Sequence, residues 1–179
     1  MPPWLEAGRR RSARLDRRCA LALHQASARP LCLRVLMGCS RLGDGPLWVG
    51  VLAVLPLAGG PQGTRCALAG LALGALNLFI YWCLKHTTRR LRPFENCPGI
   101  RACVRAADVF SFPSGHTLHA VAFALLLSTH YPAMAPLLWS FALAVATSRV
   151  VLGLHYPSDV LAGALIGSGT ATAVIVLTR

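Results

Sequence analysis

Phe112-Pro113-Ser114-Gly115-His116-Thr117 is where a polar loop turns into a long apolar run. Pro113 and Gly115 punctuate the turn, and Ser114 is a residue type that favours the helix N-cap. A helix starting here aims its unpaired N–H groups, and the positive end of its dipole, back into the loop. That arrangement suits an anion such as phosphate. Two other polar islands interrupt the apolar sequence. The upstream one runs from Lys85 through Arg92 to Pro93, and the downstream one from Ser148-Arg149 through His155 to Asp159.

Around these islands the composition is that of a membrane protein. Of 179 residues, 55% are hydrophobic and only 13% charged, with a mean hydropathy of +0.54. An ordinary soluble domain is excluded, because the apolar residues also come in long runs. The length fits one compact membrane domain. Net charge is +12, from 18 Lys and Arg against 6 Asp and Glu, which suits a partner bearing phosphates. The basic residues lie almost entirely outside the apolar runs, favouring lipid headgroups over nucleic acid. No secretory signal peptide is expected, since Arg9-Arg10-Arg11 is followed only by the short run from Cys19 to Leu23. The Cys spacing matches no zinc or redox motif. Only Cys97 and Cys103, both in a polar loop, are placed to pair, and an oxidising compartment would be required.

In chain order, residues 1–14 read as a disordered basic tail. Residues 15–42 read as amphipathic interfacial helices. Leu15, Cys19, Ala22, Leu23 and Ala26 recur at helical spacing, and a second short helix follows Pro30. Residues 43–179 form the membrane domain. Gly43-Asp44-Gly45-Pro46 is a turn. Leu47 to Gly60 is a short apolar run between two prolines, and Cys66 to Leu84 is a full span with Gly70-x-x-x-Gly74 and a lone polar Asn77. Thr117 to His130, Ala133 to about Leu152, and Asp159 to Thr178 complete five crossings, the last carrying Gly163-x-x-x-Gly167. The fold class expected is all-α and integral to the membrane, a bundle of about five transmembrane helices preceded by an amphipathic surface helix.

Five crossings put all three polar islands on one membrane face. Irregular backbone at membrane depth is tolerated only when buried in protein or facing water. An unpaired Arg149 near the end of an apolar helix would cost up to roughly 2.5–3.5 kcal/mol, so a partner is expected, and a bound anion would satisfy it. Singly, Lys85 and Arg92 could be interfacial anchors, His116 and His155 ordinary interfacial histidines, and Asp159 a helix cap. Together they support phosphoryl transfer through a covalent histidine. Cations and N–H groups would stabilise the phosphoryl oxygens, one imidazole held by a carboxylate would attack phosphorus, and the other would protonate the leaving oxygen. Carboxylates are too few for a metal cage, so no metal and no cofactor is expected.

The three islands resemble the blocks of the type-2 phosphatidic-acid phosphatase family, relatives of the vanadium haloperoxidases. They match its Lys-x6-Arg-Pro, Pro-Ser-Gly-His and Ser-Arg-x5-His-x3-Asp patterns at Lys85 to Pro93, Pro113 to His116 and Ser148 to Asp159. The resemblance covers about residues 40 to 179. It implies His155 as nucleophile, Asp159 as its orienter and His116 as general acid, with Lys85, Arg92, Ser114, Gly115 and Arg149 binding phosphate. The implied substrates are lipid phosphates and isoprenoid diphosphates such as undecaprenyl diphosphate. The alternative is a catalytically silent lipid-binding scaffold of the same fold. All Lys and Arg except Arg65 and Arg179 fall on the side of the islands. The positive-inside rule therefore places the site in the cytoplasm, whereas family analogy places it outside. The sequence does not fix lipid tail or oligomeric state.

Overall fold

The computed structural model describes residues 3–178, with side chains from residue 11 onward. Arg179 lies outside the described residues, as do the side chains of Arg9 and Arg10. Every regular element among the described residues is helical. Helix α1 spans Pro3–His24 and leads through a short turn into α2, Pro30–Leu42. Helix α3 spans Gly45–Thr88, α4 is the single turn Pro93–Asn96, and α5 spans Gly115–His130. Helices α6, Ala135–Val151, and α7, Pro157–Leu177, complete the chain. Among the described residues, three segments are long and apolar enough to cross a membrane: Gly45–Asn96, Pro132–Val151 and Pro157–Leu177.

Helix α3 is two arms rather than one rod. Gly60 has φ 53° and ψ −138°, a non-helical conformation open to glycine, and Pro61 follows it. A Cβ on Gly63 would fall on the Leu55 carbonyl oxygen, and one on Gly70 would meet the end of the Leu52 side chain. Residues eight apart in a straight helix would be about 12 Å from each other, so these contacts mean the chain has folded back. The arms match the two apolar runs expected on either side of Gly60 and Pro61. Asn77 on the second arm accepts a hydrogen bond from Thr170 Oγ1 of α7 at 2.7 Å, tying the two helices together inside the bundle.

Helix α5 is the centre of the bundle. Thr117, Leu118, Leu126, Leu127 and the whole run from Ala120 to Ala124 are buried, so little of it is left to face lipid or water. Helix α7 approaches it backbone to backbone. A Cβ on Gly163 would lie 2.6 Å from the Ser114 carbonyl oxygen, and one on Gly167 would strike the Leu118 carbonyl. The small-residue spacing read from the sequence thus marks a real close approach. Trp48 of α3 stacks on Phe123 of α5 at 4.7 Å, closing the third side. Outward-facing Leu57, Leu68, Phe79, Trp82, Leu137, Leu143 and Leu165 remain exposed, leaving an apolar belt around the bundle.

The N-terminal helices differ from expectation in two respects. Helical backbone begins at Pro3, within the stretch read as a disordered tail. Its Ala, Arg and Leu content favours helix, which a reading by charge alone overlooks. The face that docks on the bundle is Asp16, Ala20 and His24, spaced four residues apart. His24 is buried, with Nδ1 2.8 Å from the Val151 carbonyl oxygen, while Arg101 N–H donates to Nε2. Leu15, Cys19, Ala22 and Leu23, the expected apolar face, stay exposed. Helix α1 therefore docks through a mixed seam, Asp16 and His24 beside buried Ala20 and half-buried Leu21, with Leu15, Cys19, Ala22 and Leu23 outward.

Candidate active site

Helix α3 carries Lys85 into its last turn, and Arg92 caps α4 just beyond. Gly115 and His116 open α5, Arg149 sits in the last turn of α6, and His155 lies in the tight connection to α7. That connection is compact because Gly153 has φ +78° and packs against the backbone of Arg101, a position no larger residue could take. The result is a cavity of about 420 Å³ lined by Lys85, Arg92, Gly115, His116, Arg149 and His155. Its other end runs between the arms of α3, along Val49, Leu52, Gly70, Leu71, Gly74 and Leu78. A cationic end and an apolar end therefore share one space.

Two of the eight expected residues stand behind the wall. Ser114 is fully buried, and its Oγ pairs with Thr117 Oγ1 at 3.0 Å instead of capping α5 or facing the cavity. Its backbone N–H donates to the Asp159 carbonyl at 3.1 Å, which pins the start of α5 to α7. Asp159 is also fully buried. Its Oδ2 accepts from the Tyr156 N–H at 2.8 Å as a helix cap, and its Oδ1 accepts from Arg90 at 2.7 Å. His155 Nδ1 lies 3.7 Å from Asp159 Oδ2, too long for a hydrogen bond.

The electrostatics are those of a site preset for an anion. Arg92 is buried and donates to the carbonyls of Asp108 and Leu154 at 3.0 and 2.8 Å, with Nη1 3.3 Å from His155 Nε2. The Nε2 edge of His155 thus faces the guanidinium. Arg149 donates to Ser40 Oγ, yet its Nε is buried with no partner, as is His155 Nδ1. Buried polar atoms left unpaired are costly and uncommon, so Arg149 Nε in the cavity wall points to an anion that completes it, while His155 Nδ1 faces Asp159. Burial, then the charges of Arg149, Arg92 and Lys85, holds the His155 imidazole well below its ordinary pKa. The ring is therefore held neutral.

Sequence reasoning missed the carboxylates that organise these cations. Asp108 receives Lys85 Nζ at 2.5 Å and Arg92 Nη2 at 2.8 Å on Oδ1, and the Tyr81 hydroxyl on Oδ2. Burial raises its pKa, but Lys85, Tyr81 and Arg92 outweigh that and bring it down to about 2. Asp44 meets His116, and Asp16 pairs with Arg90 at 2.5 Å while also bonding Ser158. Glu95 accepts from the Arg92 backbone N–H at 2.9 Å. With only six acidic residues against 18 cations, each one was worth questioning, and all five whose side chains are described lie at or beside this site. Cys97 and Cys103 are free thiols. Cys97 Sγ lies against the Tyr156 hydroxyl at 3.3 Å, and the Cys103 N–H is tied to the Leu152 carbonyl.

Comparison with known proteins finds membrane phosphatases. The chain is 37% identical over 121 residues to an Escherichia coli (strain K12) protein named "Putative undecaprenyl-diphosphatase YbjG", a match covering 66% of this chain and 61% of that protein. It is 34% identical over 142 residues to the decaprenylphosphoryl-5-phosphoribose phosphatase of Mycobacterium tuberculosis (strain ATCC 25618 / H37Rv), covering 78% of this chain and 77% of the relative. Among solved structures, the transmembrane PAP2-type phosphatidylglycerolphosphate phosphatase from Bacillus subtilis superposes with a TM-score of 0.69. That match has 25% identity and covers 89% of this chain and 84% of the other. Aquifex aeolicus LpxE shares the fold, with a TM-score of 0.67 at 24% identity, covering 86% of this chain and 92% of that one. Residues 65–179, which hold all three polar islands, match the PAP2 superfamily, and the chain belongs to it.

Proposed function

We propose that this protein is an integral-membrane, metal-independent phosphatase acting on a lipid phosphate or an isoprenoid diphosphate such as undecaprenyl diphosphate. The observation that carries the reading is the cavity itself. Lys85, Arg92, Arg149, His116 and His155 meet at one end, and an apolar cleft between the α3 arms leads away from them. The cationic end suits the phosphate and the cleft suits the tail. Relatives named for polyprenyl substrates support the isoprenoid choice.

In the proposed reaction His155 Nε2 attacks phosphorus and the bond from phosphorus to the leaving oxygen breaks. His116 gives that oxygen its proton, and the product is a phosphohistidine. Water then attacks the phosphohistidine, His116 takes up the proton, and phosphate leaves. Lys85, Arg92, Arg149 and the first N–H groups of α5 stabilise the charge on the phosphoryl oxygens. Asp159, which caps α7 beside His155, is the orienter. Its 3.7 Å separation from Nδ1 shortens to a hydrogen bond as positive charge develops on the ring while Nε2 bonds to phosphorus. Cationic donors grip the anion directly, so no metal is required.

The two arms of α3, with α5, α6 and α7, make five crossings. The bias of Lys and Arg toward the cavity side supports a cytoplasmic site. Phosphate release from purified protein, with chelator present, across phosphatidic acid, phosphatidylglycerol phosphate, farnesyl and undecaprenyl diphosphates tests the activity. His155→Ala is expected to abolish turnover in a folded protein. Near-wild-type residual activity, or a strict metal requirement, would refute the mechanism.

A further inference from the structure

We propose that Asp44 is a positioning residue for His116, forming a second carboxylate–imidazole pair beside the cavity that holds His155. The proposal rests on the assignment of His116 as proton donor made above. Asp44 lies outside residues 65–179, which match the family. It comes from the turn between α2 and α3.

The geometry is specific. Asp44 Oδ1 is 2.6 Å from His116 Nε2, across 72 residues of sequence. Asp44 stands at the N-cap of α3, where an aspartate ordinarily accepts from its own helix, yet it makes no such bond. Its side chain is 51% exposed and could sit in water, but it turns to His116 instead. The turn is held in place. Gly43 N–H donates to the Cys39 carbonyl at 2.9 Å, and a Cβ on Gly43 would press on Val145 of α6 at 3.0 Å.

The pairing answers an electrostatic problem. His116 shares the cavity wall with Lys85, Arg92 and Arg149, and with Tyr81, Asp108, His119 and His155. Arg41, Cys103 and Arg105 line the adjoining mouth. Those cations oppose an imidazolium by like charge, and Asp44 supplies a negative charge in direct contact with the ring. A carboxylate on Nε2 holds the proton on the ring and fixes its plane, leaving Nδ1 for the reacting oxygen. The arrangement parallels other nucleophile–base–orienter systems, in which the carboxylate acts only through its imidazole.

The test separates proton donation from mere folding by changing the leaving group. An alkoxide must be protonated as it departs, whereas 4-nitrophenolate need not be. Asp44→Asn is expected to lower kcat for dodecyl phosphate by about 30- to 100-fold with KM little changed, within the range of general acid catalysis. For 4-nitrophenyl phosphate the fall should be under about fivefold, with Asp44→Glu restoring part of the dodecyl phosphate rate. Equal losses on both substrates, or no loss on either, would overturn the proposal. A second readout does not need turnover: titration of the His116 ring by NMR in micelles, its signal assigned with His116→Gln. Asn at position 44 should weaken proton binding at His116 by about tenfold, and an unchanged titration would overturn the pairing. Wild-type protein without turnover on any phosphate would instead count against the phosphatase reading, while the titration still decides the pairing.

Discussion

Replacing Gly163 with alanine should damage catalysis from behind the active site. In α7 this residue touches no part of the cavity, but a Cβ there would sit 2.6 Å from the Ser114 carbonyl oxygen and 3.3 Å from the Leu118 nitrogen. Ordinary van der Waals contact begins near 3.4 Å, so α5 and α7 must part by most of an ångström. Both struck atoms are backbone, so no side-chain rotation relieves the clash. Overpacking of this kind costs about 1–3 kcal/mol, partly offset by the ~1 kcal/mol that alanine gains over glycine in a helix. The net loss of stability should be modest, about 0–2 kcal/mol. The kinetic effect should be larger. The atoms that move begin the helix carrying Gly115 and His116, and displacing catalytic groups by about 1 Å can cost about 10²-fold in rate. Thermal unfolding in detergent and kcat/KM for phosphate release measure the two effects on the same preparation. Gly169→Ala is the control, because nothing lies within 4 Å of its Cβ, and it should leave activity unchanged. Wild-type kcat/KM in Gly163→Ala would refute the idea that the α5–α7 contact sets the position of the phosphate-binding end.

Three further outcomes are expected. Asp108→Asn frees Lys85 and Arg92 from an internal anion, so inhibition by inorganic phosphate should tighten by about tenfold or more, equivalent to ~1.4 kcal/mol. Weaker inhibition would mean that Asp108 helps to build the site rather than competing for it. Arg92→Lys leaves one point charge to serve acceptors on Asp108 and Leu154. It should lose about 2–4 kcal/mol of stability together with most of the activity, and an unchanged unfolding midpoint would contradict this. Acidification acts through two groups, and both weaken the fold as pH falls. The depressed His155 stays neutral in the fold while the unfolded chain takes up a proton below about pH 6.5, so stability falls as pH drops through that value, and His155→Asn should flatten the slope. Asp108, held at about 2, adds a stabilising contribution that is complete above the ordinary carboxylate range and lost only as pH falls toward 2. Unfolding midpoints measured against pH resolve the two windows.

The polar islands, the apolar runs between them and the turns at Gly60–Pro61 and Tyr131–Pro132 were all legible in the sequence. Each is a local property: hydrophobic length sets how far an apolar helix runs, and proline and glycine set its ends. Local patterning also favoured Ser114 as a cap, because serine caps are common. Ser114 does hold the N-cap position of α5, but packing turns its Oγ to Thr117 and ties its backbone N–H to Asp159. The roles of the carboxylates were not local at all. Asp16, Asp44 and Asp108 find their partners across 74, 72 and 16 to 23 residues, and no periodicity or motif links such positions. Which cation meets which carboxylate follows from how closely α5, α6 and α7 pack and where the α2–α3 turn is wedged. The chain therefore encodes locally which chemical groups reach the lipid–water boundary. Their pairing depends on three-dimensional contact, because charges select one another by distance in space and not by spacing along a helix.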